Sequence, residues 1–218
     1  VMDPFLRVLE AHLKHQVGDG IRAYADDIAM LLHNCPAALP IILDVFAAFA
    51  RVSGLALHLA KCEVIPLLLS AGAMKAKLAC SPLASRLQVN DKGKYLGFFV
   101  GPGRLLSSWD APLAKFVKRV GLWTTMHLGL HLSLRAFKCY IASVLSYIWQ
   151  LEDVPPPAQE AWTAALRALA PGPGNWATAA DLRALKAFGI CPVEVPLLSD
   201  VALVAKLRVI YDMGPSLI

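Results

Sequence analysis

The sequence predicts an α+β protein, with short antiparallel strands packed on helices in its first half and helices alone in its second. Three observations carry this. Two short apolar runs, Ile21 to Tyr24 and Ile28 to Leu32, flank the tripeptide "ADD", the pattern of a hairpin. Between Ala37 and Val52 large apolar residues recur at helical spacing. Beyond "GPG" at 101–103 the alternating pattern stops and helical spacing takes over, so the boundary between two domains, 1–103 and 104–218, is drawn there.

The opening "DPFLRVLEAHLKH" reads as a helix with Asp3 as N-cap, Pro4 at its first position and Phe5, Leu6, Leu9 and Leu13 on one face. "GDG" at 18–20 ends it. The hairpin follows, its acidic tip lacking the Asn-Gly or Asp-Gly that commonly closes such a turn. The Ala37–Val52 helix places Ile41, Ile42, Val45, Phe46 and Phe49 on one side, Asp44 and Arg51 on the other, and Gly54 as its C-terminal cap. Residues 56–69 alternate more like a strand up to Pro66, and 70–92 show no clear pattern. "KYLGFFVG" at 94–101 is a short strand or tight hairpin. In the second half, Leu113, Phe116, Val117, Val120 and Trp123 mark one amphipathic helix. Leu134, Phe137, Ile141, Val144, Leu145 and Ile148 mark another, with Ser133 as N-cap. "PPP" at 155–157 and "PGPG" at 171–174 are linkers around helices near 158–170, 178–188 and 199–211.

Composition narrows the class. Of 218 residues 57% are hydrophobic and 17% charged, against about 45–50% and 25% in ordinary soluble domains. No uncharged apolar stretch reaches the roughly 18 residues of a spanning helix, because Pro36, Pro40, His33 and Asn34 interrupt the candidates. No membrane partner is therefore expected; the surplus apolar surface points to missing neighbours. Val1 in place of Met, and the lack of a basic-then-apolar leader, suggest a piece of an intracellular protein. Twenty-one Lys and Arg against 16 Asp and Glu give a net charge of +5, compatible with a polyanionic partner. The five cysteines are widely spaced and never form CxxC, which suggests reduced, mostly buried thiols.

The tip "RAYADDIAMLL" poses the chemical question, because adjacent carboxylates repel unless a cation sits beside them. Asp26 and Asp27 on a rigid hairpin tip suit Mg²⁺, which takes one or two carboxylates and fills its other positions with water and substrate phosphate. A solvated turn that contains Asp twice reads the same way on these residues alone.

The flanks add a resemblance. "YADD", "FARVSGLALHLAKCE", "KYLGFFVG", "WDAPLAKFVKRVGLW" and "LSLRAFKCYIASVLSYIWQLEDVPP", in this order and spacing, resemble the reverse transcriptases of non-LTR retrotransposons and group II introns. The match runs from Val1 to about Pro157. "VMDPFLRVLEAHL" is similar to the helix after that family's second motif. The resemblance implies a partial polymerase palm over 1–103 and a helical thumb and connection over 104–218.

It also implies roles. Asp26 would be a direct metal ligand and Asp27 its supporting neighbour, in a site that works with two Mg²⁺ ions. Tyr24 would pack beneath the primer terminus, and Tyr95, Leu96 and Gly97 would shape the primer grip. Lys61 would stand near the leaving pyrophosphate as a general acid, although an exposed Lys at a strand end is equally ordinary. Lys115, Lys118, Arg119, Arg135 and Lys138 would face nucleic-acid phosphates; each also reads as part of a solvated helix face. The implied partners are an RNA template, a DNA primer and dNTP, with no expectation for the oligomeric state.

Two departures matter. His58 stands where the family usually has Asn, and it is taken as a structural substitution. The family's first catalytic motif supplies a further Asp on a neighbouring strand, and neither Asp3 nor Asp19 sits in such a strand; the fingers are missing as well. The expectation is a polymerase fragment inactive by itself and poorly soluble alone, or else a decayed remnant that at most binds nucleic acid.

Overall fold

The structure, a computed structural model, describes residues 2–13, 20–170, 172–174 and 176–213. Gly18 and Asp19 of the expected "GDG" turn, and Pro171 of "PGPG", lie outside the described residues. The chain divides into two compact units, Val1–Leu105 and Leu106–Ile218, a division just past the expected one.

In the first unit α1 (Met2–Leu13) forms because Phe5, Leu9 and Leu13 fall on one face and are all buried. The helix already opens at Met2, so Asp3 is a first-turn residue and not the cap. Its carboxylate faces the positive helix end and pairs with Arg7 at 3.1 Å. The hairpin follows as β1 (Gly20–Tyr24) and β2 (Asp27–Leu31), antiparallel with Ile21 opposite Met30 and Tyr24 opposite Asp27.

Helix α2 (Cys35–Ser53) has Pro36 in its first turn and runs through Pro40. It ends at Gly54 in the left-handed region, φ 75°, whose N–H donates to the Ala50 carbonyl at 2.9 Å. Its buried residues are Leu39, Ile42 and Leu43, while Ile41, expected on the apolar face, is exposed. The reason is that α2 serves two cores. Ile42, Val45, Phe46 and Phe49 pack with α1 and the hairpin, where Phe49 stacks on Phe5 at 4.3 Å; Leu39 packs with Met74, Leu78, Ala84 and Leu87. With 19 residues and a mean hydropathy of 1.7, α2 is long and apolar enough to cross a membrane. It carries Asp44 and Arg51 as well as Pro36 and Pro40, so it is not an uncharged stretch, and this remains a statement of length and composition.

The strand expected over 56–69 shrinks to β3 (Glu63–Val64), preceded by a 3₁₀ turn at Leu59–Lys61. It pairs in parallel with β4 (Gln88–Val89) across α3 (Ala71–Leu78), whose N-cap is Ser70. A parallel pair requires such a crossover. Then β5 (Gly93–Tyr95) and β6 (Phe98–Val100) make the second hairpin. Among the described residues the strands form three separate two-stranded ladders, so the unit is a mixture of helices and small hairpins, α+β.

The second unit is helical: α4 (Ser107–Thr124), α5 (Gly129–Ala136), α6 (Ile148–Leu151), α7 (Pro156–Leu169), α8 (Ala179–Ala184) and α9 (Leu198–Met213). Between α5 and α6 the chain stays helical, widening to a π turn at Phe137–Ile141 and tightening to 3₁₀ at Ala142–Leu145. Leu134, Phe137, Ile141, Leu145 and Ile148 are buried along it. Ser133 is a buried residue inside α5 and not its cap, because the helix begins at Gly129. Trp162 centres the core: it stacks on Phe116 at 6.1 Å and meets the edges of Phe137 at 4.7 Å and Trp149 at 6.3 Å. All five cysteines are free, but only Cys191 is buried; Cys35 and Cys62 are half-buried and Cys80 and Cys139 exposed. The expectation of mostly buried thiols fails because Cys80, in the turn after α3, and Cys139, in the π turn, are exposed.

Candidate functional site

The register of β1 and β2 leaves Ala25 and Asp26 as a two-residue loop. Ala25 adopts φ 54°, and Asp26 does not share the positive φ; this φ pattern belongs to a II′ turn, whose first position favours Gly. An alanine there is strained. Alternation then sorts the hairpin: Ile21, Ile28 and Met30 join the core, while Arg22, Tyr24 and Asp27 share the opposite face. Tyr24 is 69% exposed and both aspartates are exposed. The hairpin therefore brings Tyr24, Asp26 and Asp27 together at one solvent-facing end.

That end offers two carboxylates. Among the described residues no group of three or more His, Cys, Asp or Glu side chains stands together as a metal cage. Asp3 is paired with Arg7, and Asp19 is outside the described residues. Two carboxylates match the donor set of one Mg²⁺ whose other ligands are water and phosphate; they fall short of a two-metal centre.

Lys61 lies elsewhere, exposed at the end of the 3₁₀ turn before β3. Its segment and the second hairpin are neighbours: a Cβ on Gly93 would meet the Glu63 carboxylate at 2.5 Å and Ile65 at 2.7 Å. A larger residue there would have to displace the ends of the Glu63 and Ile65 side chains. At the hairpin's tip Leu96 and Gly97 both take positive φ, 46° and 92°, the pattern of a I′ turn. Beneath it Tyr95 meets the edge of Phe98 at 6.2 Å, and the Lys92 ammonium sits 5.5 Å from the Phe99 ring centre. Tyr95 and Leu96 are half-buried and Gly97 exposed.

The five basic candidates spread over three elements of the second unit. Lys115 and Lys118 are exposed on α4, Arg135 on α5 and Lys138 in the π turn. Arg119 is half-buried and donates to the Tyr140 carbonyl, tying α4 to the π turn. Lys138 is close enough to Glu194 to help lower its carboxyl pKa, after the larger effect of the Lys186 hydrogen bond at 2.6 Å. Burial raises the Cys35 and Cys62 thiols, which makes neither a ready nucleophile.

Sequence reasoning missed two features. An apolar groove of about 850 Å³ runs between α1 and α2, lined by Pro4, Val8, Ile41, Val45 and Val52. In the second unit Trp123 stacks on Tyr140, 5.4 Å between ring centres and 14° from parallel. Nothing in "LWTTM" or "KCYIA" pairs these two aromatics before the helices are packed. No model of a known protein family, no curated protein and no solved structure matches the chain.

Proposed function

We propose that the chain carries part of an RNA-directed DNA polymerase of the non-LTR retrotransposon or group II intron type: the palm hairpin of the metal site, the primer-grip hairpin and the thumb. The observation that supports this most is the strained two-residue turn that holds Asp26 and Asp27 in solvent, since strained backbone persists where a site requires it. Asp26 and Asp27 would hold Mg²⁺ together with the phosphates of a dNTP, and the ion would supply charge stabilisation at the transferring phosphoryl group. Tyr24 and the Tyr95, Leu96 and Gly97 turn would position the DNA primer, Lys61 would give a proton toward the leaving pyrophosphate, and the basic residues of α4 and α5 would hold phosphates of the RNA template and primer.

By itself the chain is proposed not to extend a primer, because residues that act as a unit lose most of the rate when one is missing, and no third carboxylate joins the pair among the described residues. Two measurements test the reading. Fe²⁺ substituted for Mg²⁺, with ascorbate, should cleave the backbone near Tyr24 to Ile28 when dNTP is present, and Asp26→Asn should abolish the cleavage; its absence from the unsubstituted chain would remove the metal site. Primer extension on an RNA template should show no incorporation above the Asp26→Asn control, and a clear Mg²⁺-dependent signal would overturn the inactivity. A non-catalytic nucleic-acid-binding remnant is the second reading, favoured by the net charge of +5.

A further inference from the structure

The second unit carries a charge pattern that the hairpin does not need. From Ala111 to Leu151 there are five Lys and Arg and no Asp or Glu, so this stretch attracts polyanions without an internal counter-charge. The Trp123–Tyr140 stack lies within it. Lys115, Arg119 and Trp123 are spaced by four residues on α4 and so run along one stripe of that helix. The Arg119 guanidinium reaches the Tyr140 backbone carbonyl and keeps further N–H groups for an acceptor.

Packing alone accounts for half of this arrangement. Trp123 is half-buried and fastens α4 to the π turn. Tyr140, however, remains 58% exposed although one face lies on Trp123. A phenol ring held nearly parallel to an indole, more than half exposed and next to the Arg119 guanidinium, is what a nucleobase stacks on. Base pairs inside a duplex are stacked on both faces and have none to offer, so the partner is single-stranded.

We propose that the Trp123–Tyr140 stack is a platform for an unpaired base of single-stranded nucleic acid, with Arg119 and Lys115 taking the flanking phosphates. Lys138, drawn toward Glu194, is left out of this surface. The proposal stands without the metal site at Asp26 and Asp27 and without the polymerase assignment.

The test uses the whole chain in EDTA, so that no metal contributes, at about 0.1 M salt where phosphate contacts are still strong. Fluorescence anisotropy compares a labelled thymidine strand of about 12 nucleotides with an abasic strand carrying the same number of phosphates. The thymidine strand should bind about tenfold tighter than the abasic one. Tyr140→Phe should keep that difference. Tyr140→Leu should erase it while leaving abasic binding unchanged, because leucine still covers Trp123 and the backbone carbonyl that holds Arg119 is untouched; circular dichroism checks the fold of both variants. Equal affinity of the unsubstituted chain for the two strands, no binding of either, or a difference that survives Tyr140→Leu would each overturn the platform.

Discussion

Ala25 is one of four non-glycine residues with positive φ among the described residues. An L-residue with φ near 54° pays roughly 1 kcal/mol that glycine does not. Ala25→Gly should relieve it, less the greater freedom glycine has in the unfolded chain, so a net gain of up to about 1 kcal/mol is expected. Urea denaturation followed by circular dichroism measures this. A loss of stability would mean that the alanine methyl makes contacts that outweigh the strain. The aspartate pair itself was legible from the sequence because apolar flanks and a turn are local features. That Asp27 shares a face with Tyr24 and Arg22 was not, since register decides it.

At the scale of elements, the second unit rests on Trp162 in α7. Its indole N–H is buried with no acceptor among the described residues, so the ring contributes there through contact area and not through a hydrogen bond. Trp162→Ala should cost about 3–5 kcal/mol by opening a cavity among Phe116, Phe137 and Trp149. Trp162→Phe should cost well under half of that, because it also removes the unsatisfied donor. A cost for phenylalanine equal to that for alanine would mean the donor has a partner after all.

Helix α8 depends on its start. Thr178 caps it by accepting from the Asp181 N–H at 3.2 Å, and the Asp181 carboxylate accepts from the Thr178 N–H at 2.7 Å. That backbone hydrogen bond lowers the Asp181 pKa, as the Lys206 hydrogen bond lowers that of Asp153 and the Lys186 hydrogen bond that of Glu194. A carboxyl with a lowered folded pKa stabilises above its unfolded value, near about 4, and that contribution disappears as pH falls through the lower folded value. Melting temperature should therefore drop on acidification below about pH 4, and Asp181→Asn should flatten part of the drop. All three carboxylates are exposed, so the effect should shrink in high salt. A melting temperature that rises with acid would contradict this assignment.

For the whole molecule, each unit has its own core, yet each leaves large apolar side chains in water. In the first, Val52 is 90% and Leu68 98% exposed; in the second, Phe188 is 75% and Tyr211 85% exposed. Among the described residues no strand pairs with either edge of the β1–β2 ladder, and a two-stranded hairpin is marginal alone. Chain produced alone should associate as concentration rises, seen as growing light scattering and dye binding to apolar surface. A monodisperse monomer that melts in one cooperative step would show that these surfaces need no partner.

The sequence by itself determined what depends on a few neighbouring residues. These are the acidic hairpin tip, the Gly54 cap, the "YLG" turn and the buried stripe from Leu134 to Ile148, each set by local φ preference or by periodicity along one helix. Only the tertiary structure decided the rest. Strands of two residues have no period to read, so the parallel pairing of Glu63–Val64 with Gln88–Val89 was invisible. The two cores served by α2 turn Ile41 outward and Leu39 inward, which a single apolar face does not foretell. Trp123 and Tyr140 meet because α4 packs beside the π turn, and contacts between residues far apart in the chain are set by packing, not by any local propensity.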